Sequence, residues 1–175
     1  MYNYIKLCRR KIGVLMRKML LSMQPFWFEK VMSGTKIYEY RNRFPNEEIE
    51  AYIYVSNPVK AIAGILYLGP RIEVKDWQNK YIGNAEVVHR IDDYISRNKY
   101  AMPIIATQRI QPISVEKMNQ LVEKFIIPES YYYFENYEEI ANAIECNVVY
   151  DGSRNITEPE RFRSDREICR NYRKE

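Results

Sequence analysis

Histidine is nearly absent from this chain: its 175 residues contain one, His89. Any mechanism that needs two histidines within the chain is therefore excluded, an H-E-x-x-H zinc site among them. Cysteine is scarce too. Cys8, Cys146 and Cys169 form an odd, widely spaced set with no C-x-x-C pair, so neither a disulfide framework nor a structural zinc site is expected, and a reducing, cytoplasmic setting is the natural reading. No apolar run approaches the roughly 18 to 20 residues that span a bilayer, which makes a membrane partner unexpected. The uncharged stretch from Ile12 to Met16 is shorter than the roughly 7 residues of a secretory core, so no export signal is read. What remains is ample for a core: 46% of the residues are hydrophobic and 29% charged, as in one compact soluble domain.

The net charge of +4 is unevenly spread. Of the 27 basic residues, six lie in residues 1 to 20 (Lys6, Arg9, Arg10, Lys11, Arg17 and Lys18) with no acid among them, so the other 155 residues carry 21 basic and 23 acidic groups. As a helix this stretch puts Ile5, Cys8, Ile12 and Leu15 on one stripe and most of the cations off it, a basic amphipathic pattern. Residues 1–18 are read as a basic arm, 19–150 as the domain, and 151–175, with seven basic and six acidic residues, as a loose or docked tail unable to fold alone.

Within the domain, Met19 to Met23 reads as a short buried strand, and Pro25 suits the first turn of a helix over Phe26 to Met32 that Gly34 ends. Strands are expected at Lys36 to Arg41, Glu50 to Val55 and Ala61 to Leu68, the last two joined through Ser56-Asn57-Pro58 as an antiparallel meander. In the first of these, a period of two puts Ile37, Glu39 and Arg41 on one face and Lys36, Tyr38 and Tyr40 on the other. Asn84 can cap a helix carrying Val88, Ile91 and Ile95, and Ser114 one carrying Val115, Met118 and Val122. Met102 to Ile110 alternates as a strand; Asn136 with Glu139 suggests a cap for a helix bearing Ile140, Ala143 and Ile144; Val148 to Tyr150 reads as a last strand.

The pieces Leu20-Leu21-Ser22-Met23-Gln24-Pro25 and Ser33-Gly34-Thr35-Lys36-Ile37-Tyr38-Glu39-Tyr40-Arg41 resemble the ASCH domain family of the PUA-like superfamily. The similarity continues through the segment from Tyr54 to Gly64, Met102-Pro103-Ile104-Ile105 and Ile127-Pro128-Glu129-Ser130-Tyr131-Tyr132, covering roughly residues 20–149. It implies an α+β fold, a small PUA-like mixed β-barrel of five or six strands with peripheral helices, in which a G-x-K-x-x-E-x-R strand faces a cleft. Many relatives carry Lys where this chain has Gln24, which removes one cation from that cleft.

The resemblance implies recognition of RNA or a modified nucleotide, without cofactor or metal, in a cleft floored by Glu39 and Arg41 and fronted by Lys36 at its mouth with Ser22, Gln24 and Ser56. Lys36, Arg41 and Arg43 can neutralise phosphates, and Glu39 can accept from an exocyclic amine or orient Arg41. The plainer reading makes Glu39 and Arg41 a partly buried ion pair that sets register. The run Tyr131-Tyr132-Tyr133-Phe134 offers flat faces for unpaired bases, although period two sends alternate rings into the core. Trp27 is read as core, and His89 as a surface residue within reach of Asp92 or Asp93.

An enzymatic alternative comes from the same superfamily, whose amidohydrolases remove an acyl group from modified cytidine-type nucleosides with a lysine, a threonine and a glutamate. Lys36 matches the lysine, but the position three residues later holds Glu39 rather than threonine. Lys36 and Glu39 would then have to act through water, with burial lowering the lysine against the pull of the carboxylate. A second alternative is a non-catalytic small-ligand sensor or adaptor using the same cleft.

Overall fold

The structure is a computed structural model that describes residues 16–170. The basic arm up to residue 15, with Cys8, lies outside the described residues, as do the last five residues of the chain. Arg17 and Lys18, counted with that arm, begin the first strand and are ion-paired, Arg17 to Glu47 and Glu135 and Lys18 to Glu145.

Among the described residues eight strands form one mixed, curled sheet: β1 (Arg17–Met23), β2 (Tyr38–Arg41), β3 (Ile49–Val55), β4 (Ala61–Leu68), β5 (Ile72–Glu73), β6 (Tyr100–Ser114), β7 (Tyr131–Tyr133) and β8 (Tyr150–Ile156). Their order is β2-β6-β4-β3-β1-β7, with β5 and β8 also paired to β6. β3 and β4 form the expected antiparallel hairpin, while β1 runs parallel to β3, Leu21 opposite Ile53. Eight strands exceed the five or six expected, because β5, β7 and β8 are short or polar and carry little period-two signal.

Five α-helices surround the sheet among the described residues: α1 (Pro25–Met32), α2 (Asp76–Lys80), α3 (Ala85–Ile95), α4 (Val115–Leu121) and α5 (Glu138–Asn147). Pro25 opens α1 where its missing N–H costs nothing. Gly34, at φ +70°, ends it, as expected. Asn84 caps α3 by accepting from the Val87 N–H (3.2 Å), and Ser114 caps α4 from the Lys117 N–H (3.1 Å). Asn136 does not cap α5. It lies in a 3-10 turn, and Tyr137 occupies the cap position. The buried stripe of α3 is Val87, Ile91 and Tyr94; of the residues expected inside, Val88 is half-buried and Ile95 exposed. A tyrosine whose ring packs inward displaced the aliphatic choice.

Period two in the central strands divides the core. Met19, Leu21 and Met23, with Ile49, Ala51 and Ile53, pack under α1, whereas Leu20, Tyr52 and Tyr54 pack under α4 and α5. The tyrosine run follows the same rule: Tyr131 and Tyr133 lean on the first cluster, Tyr132 on the second. A third cluster joins Tyr38, Trp77, Val87 and Ile91 to Phe162, Ile168 and Cys169 from the polar C-terminal stretch. That stretch is docked. β8 pairs with β6 over Tyr150–Ile156, beyond the strand expected at Val148 to Tyr150, and two 3-10 turns follow.

Candidate functional site: a buried charged triad at the sheet's open seam

The curl brings the end of β1 beside β2 without a backbone ladder between them among the described residues. A side chain spans this seam instead. Arg41 donates through Nη2 to the Ser22 carbonyl (2.7 Å) and through Nη1 to Ser130 Oγ (3.3 Å), which sits just before β7. Its Nε donates to Glu39 Oε1 at 2.9 Å, and Lys36 Nζ donates to Glu39 Oε2 at 2.5 Å. One carboxylate thus holds two cations, both oxygens engaged.

The triad is largely shielded from water. Side-chain exposure is 7% for Lys36, 7% for Glu39 and 20% for Arg41. Lys36 therefore does not stand at the mouth of the cleft, as the resemblance implied; it lies on the floor. The reason is local. β2 begins only at Tyr38, so period two does not govern residues 36 and 37. The Lys36 N–H closes onto the Lys30 carbonyl (2.9 Å), which turns the chain and aims the ammonium back at Glu39. Ile37 consequently joins Tyr38 in the third core cluster rather than sharing the face of Glu39.

Burial pushes the Lys36 ammonium below the usual lysine value, and the pull of Glu39 does not restore it. The expectation that Glu39 would raise the lysine named a real influence, but desolvation outweighs it. Glu39 moves the other way: the two cations beside it hold its carboxyl below the usual glutamate value although burial opposes them.

Above the triad opens a cleft of about 930 Å³. All seven residues singled out from the sequence line it: Ser22, Gln24, Lys36, Glu39, Arg41, Arg43 and Ser56. Gln24 is exposed and makes no side-chain cap to α1, which leaves its amide facing the cleft. Ser56 is set by the Ser56-Asn57-Pro58 turn, its N–H donating to the Met23 carbonyl (2.9 Å). Sequence reasoning assigned no role to Ser130, Tyr40, Tyr94 or Arg97, which also line it. Ser130 lay within a quoted motif piece. Tyr94 and Arg97 reach the cleft only because α3 packs on β2, which no local pattern announces.

Two aromatic rings flank the lysine: Nζ lies 5.8 Å from the Trp27 centroid and 5.6 Å from that of Tyr40. Trp27 is half-buried, touching the first core cluster and the cleft alike. The strand is braced from behind by the C-terminal stretch. Arg161 donates to the Gly34 carbonyl (2.8 Å), Tyr38 to the Phe162 carbonyl (3.3 Å), and the Cys169 N–H to the Tyr40 hydroxyl (3.2 Å). Burial pushes the Cys169 thiol up to about 12, so it is no nucleophile at neutral pH. His89 is exposed, 3.8 Å from Asp93, and takes no part. No cluster of metal-ligating side chains occurs among the described residues, and no helix among them is long and apolar enough to cross a membrane.

The curled mixed sheet with its peripheral helices is an α+β fold of the PUA-like kind. No family model matches the chain. It is similar to the ASCH domain-containing ribonuclease of Zymomonas mobilis, 26% identical over 121 residues that cover 65% of this chain and 82% of that one. Crystal structures of the ASCH protein of Zymomonas mobilis share its fold. A tyrosine-to-phenylalanine variant superposes with a TM-score of 0.55 at 21% identity, over 76% of this chain and 99% of its own. The unsubstituted protein gives 0.54 at 21% identity, over 76% and 96%. These likenesses support the ASCH resemblance read from the sequence.

Proposed function

We propose that the protein binds RNA in this cleft, with the Lys36-Glu39-Arg41 triad as the fixed polar floor that meets the nucleotide. The observation that carries the reading is a pair of cations held on one carboxylate at the base of a cleft wide enough for a nucleotide. Glu39 neutralises only one of the two positive charges, so the floor keeps a net positive charge in a place where water screens it poorly. Such a floor favours a phosphate, and the guanidinium of Arg41, already oriented by Glu39 and the Ser22 carbonyl, offers a preorganised donor. The similarity to a protein named as a ribonuclease supports RNA as the polymer.

A second reading, cleavage of the bound strand, is favoured by the lowered Lys36, since an ammonium poised closer to neutrality gives up a proton to a leaving oxygen more readily. The amidohydrolase alternative is weaker. Glu39 stands where its nucleophilic threonine belongs, and both carboxylate oxygens already accept from cations.

The test is fluorescence anisotropy with labelled single-stranded RNA at low salt. Lys36→Ala is expected to weaken binding at least tenfold, about 1.4 kcal/mol, and Arg41→Ala to change which nucleotide is preferred. Failure of the wild-type protein to bind any RNA offered would overturn the reading in favour of an adaptor. Shortening of the RNA by wild type in the presence of a chelator, lost in Lys36→Ala, would promote the cleavage reading.

A further inference from the structure

Away from the cleft, one edge of the sheet stands open. β8 pairs with β6 on one side, and among the described residues no strand pairs with its other side. All seven of its residues, Tyr150–Ile156, are exposed. Open edges are usually blunted by protruding charge or proline. β8 has no proline, and its one cation is folded back: Arg154 donates to the Tyr67 hydroxyl at 2.7 Å and lies over that ring.

The two ends of the strand fix which groups the open side offers. The Gln111 N–H donates to the Val149 carbonyl (2.8 Å) and the Thr157 N–H to the Ile105 carbonyl (2.9 Å). Residues 149 and 157 thus turn their backbone groups toward β6, and the alternation of an antiparallel ladder turns those of Tyr150 and Ile156 outward. The side chains of the same two residues are 60% and 59% exposed. They stand opposite Ile110 and Ala106, both buried in the second core cluster, so they carry that apolar layer past the last strand into solvent.

A strand with this pattern is complementary to itself. We propose that β8 pairs antiparallel with β8 of a second copy of this chain, two-fold symmetrically about Ser153, to form a dimer with one continuous sheet. A two-fold axis normal to the sheet keeps each face on its own side, so paired residues must share a face. Tyr150 and Ile156 meet that condition, each exchanging two outward backbone hydrogen bonds with the other in the second copy. Their side chains then form two aromatic–β-branched cross-strand pairs, and Asp151 falls opposite Asn155 rather than another acid. The bulge in β8 respects the symmetry. Gly152, Ser153 and Arg154 lie where β6 has only Gln108, whose Nε2 fills the gap by donating to the Gly152 carbonyl at 2.9 Å. Its centre is Ser153, which the two-fold sets opposite itself, so the flanking pairs stay in step. Each copy offers one such strand, and association stops at two. No residue of β8 lines the cleft, so the dimer does not depend on what the cleft binds.

Sedimentation velocity on the full chain, from about 1 to about 200 μM, measures the association, because a two-strand edge contact belongs to the small, weak interfaces below about 1,200 Å². Wild type is expected to pass from monomer to dimer in that range and to form nothing larger. Tyr150→Lys/Ile156→Lys, which sets lysines opposite each other, stays monomeric. Val59→Lys/Ile82→Lys adds the same charge at exposed apolar residues elsewhere and dimerises as wild type does. The register has its own signature. Asn155→Asp places two acids opposite each other and weakens the dimer at least about twofold; Asn155→Lys places a cation opposite Asp151 and tightens it at least about twofold, although it raises the net charge. All these side chains are exposed, and thermal unfolding verifies that each variant folds. A wild type still monomeric at about 200 μM, assemblies beyond the dimer, loss of the dimer in Val59→Lys/Ile82→Lys, or equal responses to the two Asn155 variants would overturn the pairing.

Discussion

Replacing Glu39 by glutamine tests whether the floor of the cleft is a true buried ion triad. The substitution keeps the shape and one acceptor oxygen but withdraws the charge that holds Lys36 and Arg41. Lys36, 7% exposed, then has no countercharge. Its penalty has a ceiling, because the ammonium can shed its proton instead. From an ordinary lysine value of about 10.4, neutralising it at about pH 8 costs about 2.4 units at 1.36 kcal/mol each, or about 3.3 kcal/mol. Arg41 cannot deprotonate, but it is 20% exposed and keeps the Ser22 carbonyl and Ser130 hydroxyl, so its loss is about 1 kcal/mol. Because burial already lowers Lys36 in the wild type, the sum is at most about 4 kcal/mol, within the range of about 3 to 5 for breaking a buried pair from one side. The pH dependence follows from the same reasoning. In the variant the folded-state lysine value falls further below the unfolded one, so between them the unfolded chain binds the extra proton and stability rises with pH. The deficit therefore narrows toward about 1 to 2 kcal/mol near pH 9.5, where the ceiling on the lysine is about 1.2 kcal/mol. Urea unfolding by linear extrapolation at both pH values measures this. A deficit below about 1 kcal/mol at pH 8, or one that stays constant to pH 9.5, would refute the claim that Lys36 is buried and charged.

Two further substitutions probe how the cleft is held. A Cβ at Gly64 of β4 would collide with the Met32 methyl, lie 3.0 Å from the Phe28 ring and 3.2 Å from the Gln108 carbonyl; Gly64→Ala is expected to cost about 1 to 3 kcal/mol in thermal or urea unfolding by forcing α1 away from the sheet. Arg161 joins the Gly34 carbonyl to Glu167, whose side chain is 10% exposed; Arg161→Ala is expected to destabilise by about 1 to 3 kcal/mol and to hasten proteolytic cleavage within residues 159–169, and an unchanged digestion rate would sink the claim that this contact docks the stretch.

Where local chemistry decides structure, the sequence was legible. The limits of α1 follow from Pro25 and Gly34, the caps of α3 and α4 from Asn84 and Ser114, and the β4 strand from its unbroken apolar run. Where distant parts of the chain decide, it was not. Nothing near residues 162 to 169 reveals that Phe162 and Ile168 pack on Tyr38, because two apolar residues in a charged stretch carry no periodicity. Ile95 was preferred to Tyr94 because Val88, Ile91 and Ile95 keep the i, i+3, i+7 spacing of one helix face, a spacing that Val87, Ile91 and Tyr94 satisfy as i, i+4, i+7. The seven cleft residues named from the resemblance share one opening, yet their hierarchy was hidden: Lys36 is as enclosed as Glu39 rather than the outermost. That placement depends on where β2 starts, and strand ends are the least determined part of a period-two pattern.

The position of the triad explains why a structural and a ligand-facing role need not compete. A sheet that curls fully closes its last ladder with backbone hydrogen bonds and leaves no opening there. In this chain β2 meets the end of β1 through the Arg41 guanidinium, whose three donors reach Glu39, the Ser22 carbonyl and Ser130. The guanidinium thus stands where a backbone ladder would otherwise run, at the base of the cleft. Enclosing that cation demands a carboxylate, and a second cation, Lys36, takes the carboxylate's other oxygen. The same three residues therefore bridge the seam and charge its floor. Trimming any one of them alters both, so the loss of RNA binding in Lys36→Ala or Arg41→Ala is read beside that variant's unfolding curve, and a loss of affinity in a variant that still unfolds cooperatively reports the floor's charge.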